Sequence, residues 1–204
     1  MAGSKLFFSF PSPRKFCSHN FVRYLVLFGE LLTTMYKKIA HWMTRKFEKR
    51  YNYDGTYMHE LLEDSLGGFK AFQKFMPMSQ YREKCPGDVY FTAKLMAMQE
   101  ADCGSCLALN VKMAVEAGMS RKLVSGILND QGELPEALED VRNFARAVAS
   151  AGSIDPDLLE RIRRRYGRTA VAELALAIAS ARIFPTLKRS FGYAQSCALT
   201  PVEI

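Results

Sequence analysis

The sequence contains few glycines, prolines and cysteines, and this excludes several classes of protein. Among its 204 residues are 13 glycines, 8 prolines and 5 cysteines. Such low Gly and Pro contents exclude a collagen-like or low-complexity chain. The cysteines are too few, and odd in number, for a disulfide scaffold, so we expect a reducing compartment and a cytoplasmic protein. Hydrophobic residues make up 49% of the chain, which is enough for a sizeable core.

Acidic residues are scarce at the start of the chain, where none occurs before Glu30. Residues 1–60 carry 10 Lys and Arg against 4 Asp and Glu, a net charge of +6. Residues 61–204 carry 18 against 17, a net charge of +1. The basic character therefore belongs to the N-terminal part, and no basic groove is expected across the rest. We expect no nucleic-acid partner.

The N-terminal segment also lacks a long apolar run. A signal peptide needs about 7–15 apolar residues in succession, and Ser9 interrupts the run at residues 6–8. Residues 21–42 are richer in apolar side chains, but four charged residues interrupt them, which is unlike a transmembrane helix. We predict a helix that packs on its own domain or on a partner subunit. The alternatives are an interfacial membrane helix, with Lys37 and Lys38 near anionic headgroups, and an extension with no fold of its own.

The rest of the chain has helical periodicity and no alternating pattern long enough for a strand. We therefore predict an all-α domain over residues 43–204, preceded by a basic and apolar N-terminal extension, residues 1–42, that is dispensable for folding. Predicted helices cover residues 57–75 (weak at Gly67-Gly68), 88–101, 103–117, 121–128, 136–151, 157–166 and 170–184. Gly118, Ser120, Asp155-Pro156, Gly167, Thr169 and Pro185 are the predicted boundary residues.

One motif carries chemistry, the C-x-x-C formed by Cys103 and Cys106. With Asp102 as the predicted N-cap, Cys103 would lie in the first turn of a helix and Cys106 one turn further on the same face. A helix start stabilises a thiolate, so we expect a depressed pKa and fast alkylation at Cys103. A second thiol three residues later can resolve an oxidised first thiol. Two cysteines that serve only as packing, and half of a zinc site, remain alternatives.

The stretch EADCGSCLALNVKMAVEAGMSRKLV, residues 100–124, resembles the core of the carboxymuconolactone decarboxylase and alkyl hydroperoxidase D superfamily. The resemblance extends over residues 55–200. It implies an alkyl hydroperoxidase D-like helical bundle, a homo-oligomer and a redox-active cysteine pair with an antioxidant peroxidase activity. It also implies a thiol or dithiol as electron donor, and neither a metal nor an organic cofactor.

The sequence departs from the proton relay of the peroxidase branch of that family. Asn110 stands where the family has a His, and Phe91 stands where it has a Glu. Asn110 can form hydrogen bonds but cannot shuttle protons near neutral pH, and Glu100 is the nearest alternative base. We therefore expect a thiol-dependent oxidoreductase that catalyses disulfide exchange or slow peroxide reduction. The alternative is a non-catalytic helical oligomer with a binding or structural role and membrane contact through residues 21–42.

Overall fold

The computed structural model describes residues 18–129 and 134–193, with side chains from residue 26 onward. Within those ranges the chain forms eight α-helices and no strand, which confirms the predicted all-α class. The helices are α1 Ser18–Tyr51, α2 Thr56–Asp64, α3 Leu66–Gln80, α4 Gly87–Glu100, α5 Gly104–Glu116, α6 Arg121–Asn129, α7 Glu136–Ala149 and α8 Pro156–Ser190. Residues 1–17 of the predicted N-terminal extension, residues 130–133 and residues 194–204 lie outside the described residues, and with them Cys17 and Cys197.

The chain divides into two compact units, Met1–Trp42 and Met43–Ile204. The described part of the first unit is the N-terminal portion of α1, whose large apolar side chains are mostly exposed. The second unit contains the remainder of α1 and the helices that follow it. That residues 1–42 are dispensable for folding stays a prediction.

Helix α4 is the central helix of the second unit. Every residue from Val89 to Met98 except Phe91 is buried, so this helix is enclosed around most of its circumference. It packs against α5, α6, α7 and α8. The buried apolar residues of α8, among them Leu174 and Ile178, complete the same core. Residues that follow α4 directly are therefore held at the end of a rigid element.

Several predicted helix boundaries are confirmed by the backbone. The Ser120 hydroxyl accepts the N–H of Leu123 at 3.1 Å, so Ser120 caps α6. Gly118 adopts a φ of 99° after the last turn of α5, a left-handed conformation that favours glycine. Asp155 caps α8, since its carboxylate accepts the N–H of Asp157 at 2.9 Å.

Two predicted boundaries differ from the structure. The break in the first predicted helix lies at Ser65, whose hydroxyl accepts the N–H of Gly68 at 3.0 Å, and not at Gly67-Gly68. Beyond this cap α3 continues through Pro77 to Gln80. A serine that can cap a helix ends the preceding one more effectively than two glycines that still fit helical geometry.

Helix α8 consists of two helical segments that meet at a kink. The backbone of Gly167 is not helical, with φ 84° and ψ 165°, so the predicted break between two helices at Gly167 is confirmed. Pro185 was predicted to end the helix, yet it lies inside it and is buried. The free energy gained by burying Pro185 in the core outweighs the cost of the backbone hydrogen bond that this proline removes. Among the helices of the described residues, α8 alone is long and apolar enough to cross a membrane, and 44% of its apolar window is buried in this structure.

A buried carboxylate on α8 holds the loop that leads into α4. Glu173 is 1% exposed and accepts the backbone N–H groups of Glu83, Lys84 and Cys85 at 3.1, 3.0 and 2.8 Å. Burial raises the pKa of a carboxyl group, but here the three backbone hydrogen bonds outweigh burial and leave the pKa of Glu173 below its ordinary value. The loop is therefore fixed by an ionised side chain.

Replacing Glu173 by alanine should lower the free energy of unfolding by about 2–3 kcal/mol, because the buried N–H of Cys85 and the part-buried N–H groups of Glu83 and Lys84 lose their charged acceptor. Since the folded pKa of Glu173 is lowered, its stabilisation is present above the unfolded pKa and disappears as the pH falls through the folded value. The difference between wild type and Glu173→Ala should therefore be full at pH 7 and shrink below roughly pH 4. Urea unfolding at several pH values measures it. Glu136→Ala, at a side chain that is 78% exposed, is the control and should change stability little; equal losses in both variants would contradict the prediction.

Candidate functional site

The cysteine pair lies in the short connection between α4 and α5. Asp102 adopts a left-handed backbone conformation, with φ at 49°, and Cys103 follows with φ −127° and ψ 87°. Cys103 is therefore the N-cap of α5, and the prediction that Asp102 would be the N-cap is wrong by one residue. The tight turn out of α4 needs a left-handed residue, and Asp is among the few residues that tolerate this conformation.

The corrected positions bring the two thiols to the same end of α5. Cys103 is the N-cap and Cys106 lies in the first turn, three residues later. Side chains at these two positions approach each other in ordinary capping motifs, where each reaches toward the backbone of the other. Both cysteines are reduced thiols and each is only 1% exposed. Such burial limits the access of alkylating reagents, so the expected fast alkylation of Cys103 does not follow from this geometry.

A buried lysine from α8 lies close to the cysteine turn. The Lys188 ammonium donates to the hydroxyl of Ser105 at 3.1 Å and to the backbone carbonyl of Asp54 at 3.4 Å. The Ser105 hydroxyl is in turn 3.8 Å from the Cys103 sulfur. The ammonium also lies 3.7 Å from the Asp54 carboxylate and 5.1 Å from the centre of the Tyr53 ring. A cation in this place favours thiolate, the nucleophilic form of cysteine.

The neighbouring residue of α8 holds the turn itself. The Arg189 guanidinium donates to the carbonyl groups of Ala101 and Asp102, the latter at 3.1 Å. Those carbonyls belong to the end of α4 and to the left-handed residue, where the helix leaves them without intrahelical partners. Helix α8 thus positions the cysteine turn through two consecutive basic residues.

Two tyrosines lie close to Cys106. The Tyr53 hydroxyl lies 3.7 Å from the Cys106 sulfur and 3.4 Å from the Tyr57 hydroxyl. Burial is the main cause that raises the pKa of both phenols well above their ordinary value. At neutral pH these phenols remain protonated, so they can donate hydrogen bonds to a thiolate or a leaving oxygen but cannot act as bases.

Of the other two predicted site residues, Asn110 lies beside the thiols and Glu100 is engaged elsewhere. The Asn110 amide nitrogen donates to the carbonyl of Cys106 at 2.8 Å, and within the described structure its buried amide oxygen has no hydrogen-bond partner. Asn110 is thus part of the cysteine site. Glu100 lies at the end of α4, where its carboxylate forms an ion pair with Arg146 of α7 at 3.8 Å. This contact engages the Glu100 carboxylate with α7 rather than with a thiol.

A cavity of about 60 Å³ opens beside the second cysteine. Cys106, Asn110, Tyr53 and Tyr57 line it, whereas Cys103 does not. Its walls are otherwise mainly apolar and include Phe47, Met58, Met76, Met98, Met113 and Phe184. A small molecule in this cavity would therefore meet the Cys106 thiol first.

Cys85 is the third cysteine of the described residues, and it stands apart from the pair. It lies in the loop before α4 and is 2% exposed. Burial raises the pKa of its thiol to about 12, so it is protonated at neutral pH. In the ranges described, no group of three or more His, Cys, Asp or Glu side chains is placed to hold a metal ion.

The sequence did not reveal the residues that lie near the thiols in space but far from them along the chain. Lys188 and Tyr53 lie 85 and 50 positions away from Cys103 in the chain. The only signal for Lys188 was a consecutive Lys-Arg pair shortly after the apolar stretch at residues 170–184. For Tyr53, which is one of several tyrosines before α2, the sequence offers no comparable signal.

Comparisons with known proteins leave the site to be interpreted from its own geometry. No protein-family model matches the chain, and no curated protein or solved structure matches it significantly. The resemblance of residues 100–124 to the alkyl hydroperoxidase D superfamily accordingly stays a prediction from the sequence. What the chain can do chemically has to be judged from the buried thiols, the cation close to their turn and the cavity beside them.

Proposed function

We propose that the protein is a thiol-dependent oxidoreductase in which Cys106 reacts with the substrate and Cys103 resolves the product. The observation that carries the proposal is the position of Cys106, at the wall of a cavity and three residues after a second thiol at the helix start. Cys103 does not line the cavity, so it is the better candidate for the resolving thiol. The alkyl hydroperoxidase D resemblance of this stretch points to the same class of chemistry.

With a hydroperoxide, two steps complete the oxidation. The Cys106 thiolate attacks the terminal peroxide oxygen, the O–O bond breaks, and the leaving oxygen takes a proton and departs as an alcohol, or as water from hydrogen peroxide. Cys106 is then a sulfenic acid. The Cys103 thiol attacks its sulfur, the S–O bond breaks, and the hydroxyl leaves as water with the Cys103 proton. An external dithiol returns the pair to thiols by two exchange steps and becomes a disulfide itself.

The neighbouring side chains have separate tasks in this scheme. The Lys188 ammonium, which contacts Ser105 and the Tyr53 ring, places a positive charge near the cysteine turn, and this charge favours the thiolate form. The Tyr53 hydroxyl, 3.7 Å from the Cys106 sulfur, can turn from the Tyr57 hydroxyl to donate a hydrogen bond to a Cys106 thiolate, but it keeps its proton. Neither Asn110 nor the ion-paired Glu100 supplies a mobile proton acceptor, so proton transfer limits the rate.

Mapping the oxidised cysteines tests the proposal. The reduced full chain is treated with one equivalent of hydrogen peroxide, unreacted thiols are alkylated under denaturing conditions, and the peptides are identified by mass spectrometry. We expect a Cys103–Cys106 disulfide, while Cys85 stays a thiol because it does not line the cavity and burial raises its pKa to about 12. Oxidation of Cys85 with the pair unreacted would overturn the proposal and favour a helical binding or structural protein.

A further inference from the structure

The cavity contains a buried charge that the thiol chemistry does not use. Lys94 of α4 is 5% exposed and lines the cavity together with Cys106. Its ammonium donates to the backbone carbonyl of Ser79 at 2.8 Å and lies 5.5 Å from the centre of the Tyr90 ring. The Ser79 carbonyl also accepts the Tyr90 hydroxyl at 2.7 Å, so it is shared between two donors.

No carboxylate of the described residues forms an ion pair with Lys94. Burial alone lowers its pKa, to about 8, and no neighbouring charge contributes. At neutral pH most of the molecules therefore keep the ammonium charged inside an apolar environment. Charges buried in proteins are ordinarily paired, because an isolated one loses its hydration without compensation. An anion in the cavity would provide the missing compensation.

We propose that this cavity binds a small monocarboxylate with a short apolar chain, whose carboxylate pairs with Lys94. The single cation and the small volume match one carboxylate, while a phosphate dianion would need further donors and more space. The apolar chain would lie against the methionine side chains, which adapt easily to irregular ligands. Binding does not involve a reaction at the thiols and goes beyond the proposed oxidoreductase function.

The methionine methyl groups of the cavity allow a direct test. Reduced protein with 13C-methyl methionine is titrated with butanoate, and with butan-1-ol as the uncharged analogue, at pH 7. We expect butanoate to shift the methyl signals of the cavity residues Met58, Met76, Met98 and Met113 and to leave Met35 unchanged. Butanoate should bind about tenfold more tightly than butan-1-ol, since a charge-assisted pair forms only with the anion.

Two lysine variants separate the specific site from general charge effects. Lys94→Met should abolish the preference for butanoate while leaving butan-1-ol binding intact, whereas Lys84→Met, at a side chain that is 66% exposed, should behave as wild type. An unchanged preference in Lys94→Met would overturn the inference. If Lys94→Met does not fold, the wild-type comparison still decides, since equal binding of butanoate and butan-1-ol also overturns it. No oxidant is present, so a negative result here leaves the thiol function untouched.

A second inference comes from the exposed face of α1. Eight large apolar side chains between residues 26 and 42 are each more than half exposed, namely Val26, Leu27, Phe28, Leu31, Leu32, Met35, Ile39 and Trp42. Large apolar residues elsewhere in the described part of the chain are exposed only at Met43, Tyr81 and Ile154. The exposed residues are therefore concentrated on one segment, and such a patch marks an interaction site.

The spacing of this patch fits another helix. Five of its residues, Phe28, Leu32, Met35, Ile39 and Trp42, follow one another at intervals of four, three, four and three. This is the a and d pattern of a coiled coil, in which the same face of a partner helix is covered. In the same register the next two positions are Lys46 and Lys49, so the apolar seam ends after Trp42.

Area and charge both favour a second copy of this chain as the partner. The six half-exposed large side chains on the seam side, which exclude Val26 and Leu27, offer on the order of 600 Å², the lower end of what one partner contributes to a standard interface. Residues 26–42 contain Glu30, Lys37 and Lys38, a net charge of only +1. Repulsion between two copies is weak at this charge, so the seam can accept the same segment of another chain. We infer that two copies associate through this face of α1.

Sedimentation of the full chain tests the association. We expect a dimer or larger oligomer for the wild type, and a dissociation constant at least about 100-fold higher for Leu32→Glu/Ile39→Glu, because charges enter the seam. Both positions are exposed, so folding should be unaffected. Thr33→Glu, exposed on the same helix but outside the seam, is the matched control. A monomeric wild type, or an oligomer that persists in the double variant, would overturn the inference; flotation of a monomeric wild type with anionic liposomes would point to a membrane instead.

Discussion

Cys106→Ser should reduce peroxide consumption by the protein to the rate of the uncatalysed reaction. Cys106 is the thiol at the cavity wall, and a serine hydroxyl in its place is not ionised at neutral pH and cannot attack a peroxide. Without a dithiol donor, Cys103→Ser should instead consume one equivalent of peroxide and then stop as a sulfenic acid at Cys106, because no resolving thiol is present to form a disulfide. Peroxide consumption without a donor, followed by the intact mass of the protein, distinguishes the two variants.

Controls for this pair are available within the same chain. Cys85→Ala removes a thiol that is buried outside the cavity and should leave peroxide consumption unchanged. In Cys103→Ser the protein mass should increase by one oxygen on the peptide that contains Cys106. If instead Cys103→Ser were inactive and Cys106→Ser consumed one equivalent, Cys103 would be the attacking thiol and Cys106 the resolving thiol. If neither variant altered the rate, the thiols would have no catalytic role.

Asn110→His should raise peroxide turnover by about 100-fold, at the lower end of the range typical of general acid–base catalysis. Asn110 lines the cavity and contacts the carbonyl of Cys106, so an imidazole there would lie within the site. Unlike the amide, an imidazole exchanges protons near neutral pH, and the rate of the variant should acquire a pH dependence near 6.5. Steady-state rates between pH 5 and 8 measure both effects.

A matched variant excludes a general effect of an added imidazole. Asn129→His places the same group at an exposed position on α6, away from the cavity, and should leave the rate at the wild-type value. Thermal unfolding of Asn110→His shows whether the buried site accepts the larger ring. A folded Asn110→His protein without a gain in rate would mean that proton transfer does not limit turnover.

Helix content and several boundaries were predictable because they depend on local interactions. The 3.6-residue periodicity of apolar side chains predicted an all-α chain, which the structure confirms. Ser120, Gly118 and Asp155 end or begin helices by hydrogen bonds and backbone conformations that involve only nearby residues. The thiol pair was also visible, since a spacing of three residues at a helix start brings two side chains together.

The turn around the pair was harder to predict in detail. Asp102 is a good capping residue by type, but the chain uses it in a left-handed conformation and moves the N-cap to Cys103. Pro185 is a helix breaker by type, yet it lies within α8 because the core around it is closely packed. In both cases the tertiary path of the chain outweighs a local preference of about 1–3 kcal/mol.

The sequence alone determined which elements form and where two thiols meet; the tertiary structure decided what surrounds them. Lys188 reaches the cysteine turn from a helix 83 positions after Ser105, and the Tyr53 hydroxyl reaches Cys106 from 53 positions before it. Contacts at such separations depend on how whole helices pack, and no local pattern encodes them. The cavity and the buried charge of Lys94 arise in the same way, because a space between helices exists only once they are assembled.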